Sequence, residues 1–130
     1  MSGFKGIAMA ALIIGSLQGV AQASEATDRL LKEYLQQGVS TFDASAGEAF
    51  WNREFEGGSC AGCHTKDPKQ LGRHQRTRKP IEPMAPSVNS QRLTDVKQIN
   101  KWFLRNCKGV LGRECSAQEK GDVLTWLQAQ

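Results

Sequence analysis

Cys60-Ala61-Gly62-Cys63-His64 spells C-x-x-C-H, and this spacing predicts a covalently attached c-type haem. Two thiols on one helical turn can each form a thioether to a vinyl group of the porphyrin. The histidine that follows is then placed under the iron as its proximal ligand. Two other chemistries use paired cysteines. A redox dithiol calls for a βαβ setting, whereas the surrounding sequence patterns as helix. A zinc site calls for a second C-x-x-C or a histidine pair, and the chain has neither.

Upstream of the motif, Met1 to Lys5 form a short segment with one positive charge. An apolar stretch follows from Gly6 to Leu17, and Ala21-Gln22-Ala23 offers an A-x-A cleavage site before Ser24. The apolar run is shorter than the ~20 residues of a membrane span. Residues 1–23 are therefore expected to be a removable signal peptide, and residues 24–130 a single exported domain without stable membrane insertion. A periplasmic address suits the motif, because c-type haem is attached after translocation. Without Lys5 the balance is 16 Lys+Arg against 13 Asp+Glu. That is too even for a nucleic-acid binder, and two haem propionates would bring it closer to zero.

Of the four cysteines, Cys107 and Cys115 remain. In an oxidising compartment two leftover thiols pair more often than they stay free. The intervening Lys108–Glu114 contains two glycines and can close easily. Loop entropy assigns such a short ring ~2–3 kcal/mol of stabilisation.

The remainder predicts an all-α domain. Leu30, Leu31, Tyr34 and Leu35 form an apolar stripe ending at Gly38. Ser45-x-x-Glu48 is a capping-box pattern opening a second helix, with Gly47, Phe50, Trp51 and Phe55 on its packing side. Gly57-Gly58 then breaks the chain before the motif. From Thr65 to Pro86 the sequence is basic and then proline-rich, which reads as loop. Asp95 can cap a helix bearing Val96, Ile99, Trp102 and Phe103. Ser116-x-x-Glu119 opens a terminal helix bearing Val123, Leu124, Trp126 and Leu127.

This order of parts resembles a class I cytochrome c. There a helix carrying glycine and an aromatic residue precedes C-x-x-C-H and crosses the C-terminal helix; Gly47 with Trp51, and the helix around Trp126, fill those places. The resemblance implies three core helices around one haem c, with an extra N-terminal helix.

Three residues compete for the other face of the iron. His74 sits in the basic run Arg73–Lys79, where a histidine is more often a surface residue. Met84, in Pro80–Pro86, is the residue type that partners histidine in electron-transfer cytochromes. However, it precedes the third helix, where the class I chain covers the haem edge, and packing against the porphyrin is its alternative role. Asn106 follows Ile99, Trp102 and Phe103 at helical spacings, on their apolar face. A buried amide needs a partner, which an iron would provide, while a helix-ending role is the plainer reading.

The stretch Trp102-Phe103-Leu104-Arg105-Asn106-Cys107, with Val110-x-Gly112-Arg113-x-Cys115 and Glu119-Lys120-x-Asp122, resembles the sphaeroides haem protein family. The likeness extends through Pro83-x-Ala85-Pro86-Ser87 and Gly47-x-x-x-Trp51. It implies Asn106 as distal ligand, although Met84 replaces a leucine found in the family and so stays a rival. An amide oxygen is a hard, weak donor that suits ferric iron better than ferrous. On this reading reduction frees Asn106 and opens a site for O₂ or NO, with electrons supplied by a dihaem cytochrome c. Lys66, Lys69, Arg73, Arg76, Arg78 and Lys79 then have two readings, a docking face for an acidic partner or a solvated loop. The rival functions are a His/Met electron carrier using Met84 and a small oxidase or NO-detoxifying enzyme. No further acid, base or metal motif speaks for turnover.

Overall fold

The computed structural model describes Met1 and residues 24–130, so the leader expected at 1–23 lies, apart from its first residue, outside the described residues. The described chain folds into α1 (Glu25–Gln36), α2 (Ala44–Asn52), α3 (Cys60–His64), β1 (Gly72–Arg73), β2 (Pro80–Ile81), α4 (Val96–Leu111) and α5 (Ala117–Gln128). This is the expected all-α architecture. Among the described residues no helix is long and apolar enough to cross a membrane.

The first helix starts where Ser24 Oγ accepts the Thr27 N–H. Its inner face buries Ala26, Thr27, Leu30 and Tyr34, and the Thr27 hydroxyl donates to Leu93 O at 3.4 Å. The second helix corrects the sequence reading. Asp43 is its cap and accepts from Ser45 N at 2.8 Å and Ala46 N at 3.3 Å. A carboxylate at a helix N-terminus satisfies free N–H groups and also complements the positive end of the dipole. The helix ends at Asn52, so Phe55 lies beyond it, in a turn bridged to Gly58.

Gly47 is the point where α2 crosses α5. A Cβ there would stand 2.1 Å from Asp122 O, so only glycine lets the two backbones approach this closely. Next to that contact, Asp43 N donates to Asp122 Oδ1 at 2.8 Å. The crossing buries Trp51, Val123, Leu124, Trp126 and Leu127 in one cluster with Leu30, Tyr34, Leu93 and Ile99.

Residues 65–86 are mostly irregular, as expected, but Gly72–Arg73 pairs antiparallel with Pro80–Ile81. Strands of two residues are too short for any alternation to show in sequence.

The Asp95 and Ser116 caps form as the sequence predicts. Asp95 Oδ1 accepts from Gln98 N at 2.9 Å, and Ser116 and Glu119 make a reciprocal capping box. However, α4 continues through Asn106 and Cys107 to end at Gly112, whose φ of +71° suits a left-handed cap. Asn106 is thus inside the helix and does not terminate it. Cys107 and Cys115 are disulfide-bonded, with Cα atoms 5.6 Å apart, tying the last turns of α4 to the start of α5.

Candidate haem site

Cys60, Cys63 and His64 share the single turn α3. Ser59, buried beneath it, accepts from Gly62 N at 3.1 Å and donates to Glu54 Oε1 at 3.0 Å. The turn stops at Thr65, whose φ of +64° takes the chain out of helix. The helix crossing reaches this turn through Trp51. Its indole N–H donates to Thr65 O at 2.8 Å, and its ring lies 5.4 Å from His64 on one side and 5.4 Å from Trp126 on the other. The imidazole is therefore positioned by the packing of α2 on α5.

Burial, followed by the nearby Arg92 cation, pushes the pKa of His64 down to about 4. At neutral pH the ring is uncharged and keeps a lone pair for a metal. Its Nδ1 is buried without a hydrogen-bond partner. Cys60 and Cys63 are half-buried and free, and burial holds the Cys60 thiol up at about 11. Among the described residues, no three His, Cys, Asp or Glu side chains converge as a metal cage. Two free thiols and a neutral, partnerless imidazole on one turn match the donor set of a c-type haem.

The end of α4 reaches the Phe55–Gly58 segment that leads into this turn. Gly57 N donates to Val110 O at 3.0 Å, and a Cβ on Gly57 would stand 2.1 Å from Gly109 O. Asn106 is one helical turn before Val110 and shares its face. Its side chain is exposed and makes no hydrogen bond among the described residues, while Cys107 beside it is buried in the disulfide.

Met84 is held in a different way. Met84 N and Ala85 N both donate to Pro68 O, at 2.8 and 3.0 Å. Pro83 O accepts from Asn89 Nδ2 at 3.1 Å and Arg92 Nε at 2.9 Å, and Glu82 O accepts from Arg92 Nη2 at 2.8 Å. The half-buried Met84 side chain packs against the core. The Arg92 that grips this strap is also the cation that adds to the lowering of the His64 pKa. His74 is in the hairpin tip, where its Nδ1 accepts from Thr77 N at 3.1 Å.

Sequence reading passed over Arg92, Pro68 and the carbonyl of Thr65. Arg92 sits in an unpatterned stretch, and a backbone carbonyl that acts as an anchor leaves no sequence signal at all.

Comparison with known proteins agrees with this geometry. Residues 37–127 match a family model described as a domain of unknown function, DUF1924. Cytochrome c-type protein SHP of Cereibacter sphaeroides is 38% identical over 120 residues, covering 88% of this chain and 92% of that protein. Cytochrome c″ of Methylophilus methylotrophus is 38% identical over 86 residues, covering 62% of this chain and 60% of that protein. The structure of oxidized SHP, described as an oxygen-binding cytochrome c, superposes with a TM-score of 0.76 at 38% identity, covering 80% of this chain and 96% of that one. Oxidized cytochrome c″ superposes with a TM-score of 0.69 at 31% identity, covering 78% and 92%. With most of its length matched at this identity, the chain belongs to the sphaeroides haem protein family of c-type cytochromes.

Proposed function

We propose that this protein is a periplasmic monohaem cytochrome c that takes up electrons and binds a diatomic gas, O₂ or NO. Cys60 and Cys63 would hold the haem by thioethers, His64 would be its proximal ligand and Asn106 the distal one. The haem supplies the one-electron redox couple and, when reduced, an open position for the gas. The chain's own residues do the rest. Trp51 fixes the plane of His64, burial keeps that ring neutral, and α4 presents the Asn106 amide from a backbone anchored on both sides. The Asn106 amide oxygen, a hard and weak donor, would suit ferric iron better than ferrous, and once free the amide could donate a hydrogen bond to a bound gas. A dihaem cytochrome c is the proposed electron donor. The oxygen binding in the name of the SHP structure supports the reading.

The observation that carries it is the pairing of one turn bearing two free thiols and a neutral imidazole with an α4 that contacts Gly57 one turn beyond Asn106. Met84 stays the rival, with its backbone held on Pro68 O and its side chain packed against the core. The test is optical spectroscopy of ferric, ferrous and CO-treated protein for wild type, Asn106→Ala and Met84→Leu. Asn106→Ala should change the ferric ligand-field bands and Met84→Leu should leave them alone. The reverse pattern, or a reduced protein that stays low-spin and refuses CO, would sink the assignment.

A further inference from the structure

The aromatic side chains that give up an electron most readily are three tryptophans and one tyrosine, and the fold treats them unequally. Trp51 and Trp126 form a continuous pair that reaches His64. The Trp51 ring lies 5.4 Å from His64 and 5.4 Å from Trp126, within the range of direct aromatic contact. Both indoles are buried, with exposures of 3% and 6%. The Trp51 N–H donates to Thr65 O at 2.8 Å, and an amide carbonyl is too weak a base to remove that proton.

The other two rings are set against losing an electron. Trp102 is 47% exposed, with Lys101 Nζ and Arg105 Cζ each 5.5 Å from its centroid. Tyr34 has Lys120 Nζ 4.9 Å from its centroid. A cation over a ring is attracted by the π electrons and therefore opposes their removal. An oxidised tyrosine must also shed its phenolic proton. The Tyr34 hydroxyl is buried without a hydrogen-bond partner among the described residues, and burial pushes its pKa up to about 12. Among the described residues no cation stands over Trp51 or Trp126.

We propose that the Trp51–Trp126 pair is an electron relay that supplies the second electron when the haem-loaded protein reduces a hydroperoxide. Cleavage of the O–O bond of ROOH to give ROH and water consumes two electrons and two protons. The haem gives one electron, the indole pair gives the other through His64, and the protons come from solvent. The electron vacancy is then shared across the Trp51–Trp126 contact, away from water. Two electrons from an external one-electron donor, one to the haem and one to the pair, restore the starting state. Hydroperoxide is a fitting substrate class, because a haem that binds O₂ and receives electrons singly also meets peroxide, the two-electron reduction product of O₂. The inference rests on the haem reading above. Core packing alone is the competing role of the two indoles.

The test mixes ferric, haem-loaded protein with hydrogen peroxide, freezes it within milliseconds and records electron paramagnetic resonance. Wild type carrying ring-deuterated tryptophan should give a narrowed organic radical signal, and wild type carrying ring-deuterated tyrosine an unchanged one. Trp51→Phe and Trp126→Phe should each lower the radical yield at least tenfold, while Trp102→Phe and Tyr34→Phe keep it. Trp126→Phe leaves the His64–Trp51 contact in place, so it reads the relay and not the position of the ligand. The labelling needs no substitution and decides the matter even where a variant fails to fold. Narrowing with labelled tyrosine, loss of signal in Trp102→Phe alone, or wild type without an organic radical would each overturn the proposal. A full signal in Trp126→Phe would do the same, since the two indoles would not be acting as a pair. An absorption spectrum taken before mixing separates the two levels of failure. Protein without haem bands refutes the haem reading and this inference together, whereas intact haem without a tryptophan radical refutes the relay alone.

Discussion

Replacing Gly47 with alanine tests the packing on which the site depends. On local grounds the change should help, since alanine is the better helix former by about 1 kcal/mol. The fold dictates the opposite sign. A methyl at this position would stand 2.1 Å from Asp122 O, 2.5 Å from its carbonyl carbon and 2.9 Å from Val123 N. All three obstacles are backbone atoms of α5, which cannot rotate away as a side chain would. The two helices must separate, and with them the Trp51–Trp126 contact and the bond from Asp43 N to Asp122 Oδ1. Overpacking of this kind costs ~1–3 kcal/mol and sometimes more, and a backbone obstacle belongs at the upper end. After the propensity gain the net loss should be about 2 kcal/mol. At ~4–8 °C per kcal/mol for a domain near this size, Tm should fall by ~8–16 °C. Thermal and guanidinium unfolding of the haem-loaded protein, followed by far-ultraviolet circular dichroism, measures both quantities. Gly109→Ala provides the control, because it is also helical but has nothing within 4 Å of its Cβ position. It should be stabilising by ~0.5–1 kcal/mol. If Gly47→Ala gains stability alongside it, the close crossing of α2 and α5 is refuted.

Three other outcomes follow from the structure. Arg113 donates to both carboxylate oxygens of Glu119 at 2.8 and 2.7 Å and, as the largest influence, lowers the Glu119 pKa. A depressed carboxylate stabilises the fold above its unfolded pKa and loses that contribution as pH falls through the folded value. Acid unfolding should therefore begin at higher pH in Glu119→Gln, with a flatter pH dependence below the ordinary glutamate range. Cys107→Ser with Cys115→Ser should cost ~2–3 kcal/mol in denaturant titration, and wild type under reductant should shift by a similar amount. Mass spectrometry of exported protein should find Ser24 as the mature N-terminus. Cleavage there leaves the α1 cap intact, because the Ser24 hydroxyl that accepts from Thr27 N at 3.2 Å is retained.

The sequence was most legible where one side chain does one local job. The C-x-x-C-H turn, the Asp95 cap and the Ser116–Glu119 box follow from spacing alone, since each is satisfied within four residues. The α2 start was misplaced because two acceptors compete within three positions, and only the Asp43–Asp122 contact shows which one is held in place. Gly47 was visible as a packing position, but the 2.1 Å approach belongs to a pair of helices far apart in sequence. The strap around Met84 was illegible for a stronger reason. Its acceptors are the carbonyls of Pro68, Glu82 and Pro83, and a carbonyl is the same in every residue.

The strap and α4 also show why a family resemblance and a residue type could point in different directions at the distal position. By type, methionine is the better partner for a haem that only carries electrons, and Met84 has the proline-rich setting expected of a ligand loop. On the proposed reading, position favours Asn106. Two N–H groups on Pro68 O and the Arg92 fork on Glu82 and Pro83 fix the Met84 backbone. Asn106 has the opposite combination. Its backbone is inside α4, pinned by the Cys107–Cys115 disulfide and by the Gly57–Val110 bond, while its side chain has no hydrogen bond to break among the described residues. On the proposed reading, an amide that leaves on reduction and returns on oxidation would need this fixed origin and free side chain. If Met84 were the true ligand, removing the strap by Arg92→Gln would perturb the ferric ligand-field bands while Asn106→Ala left them intact. On the Asn106 assignment, those two results exchange places.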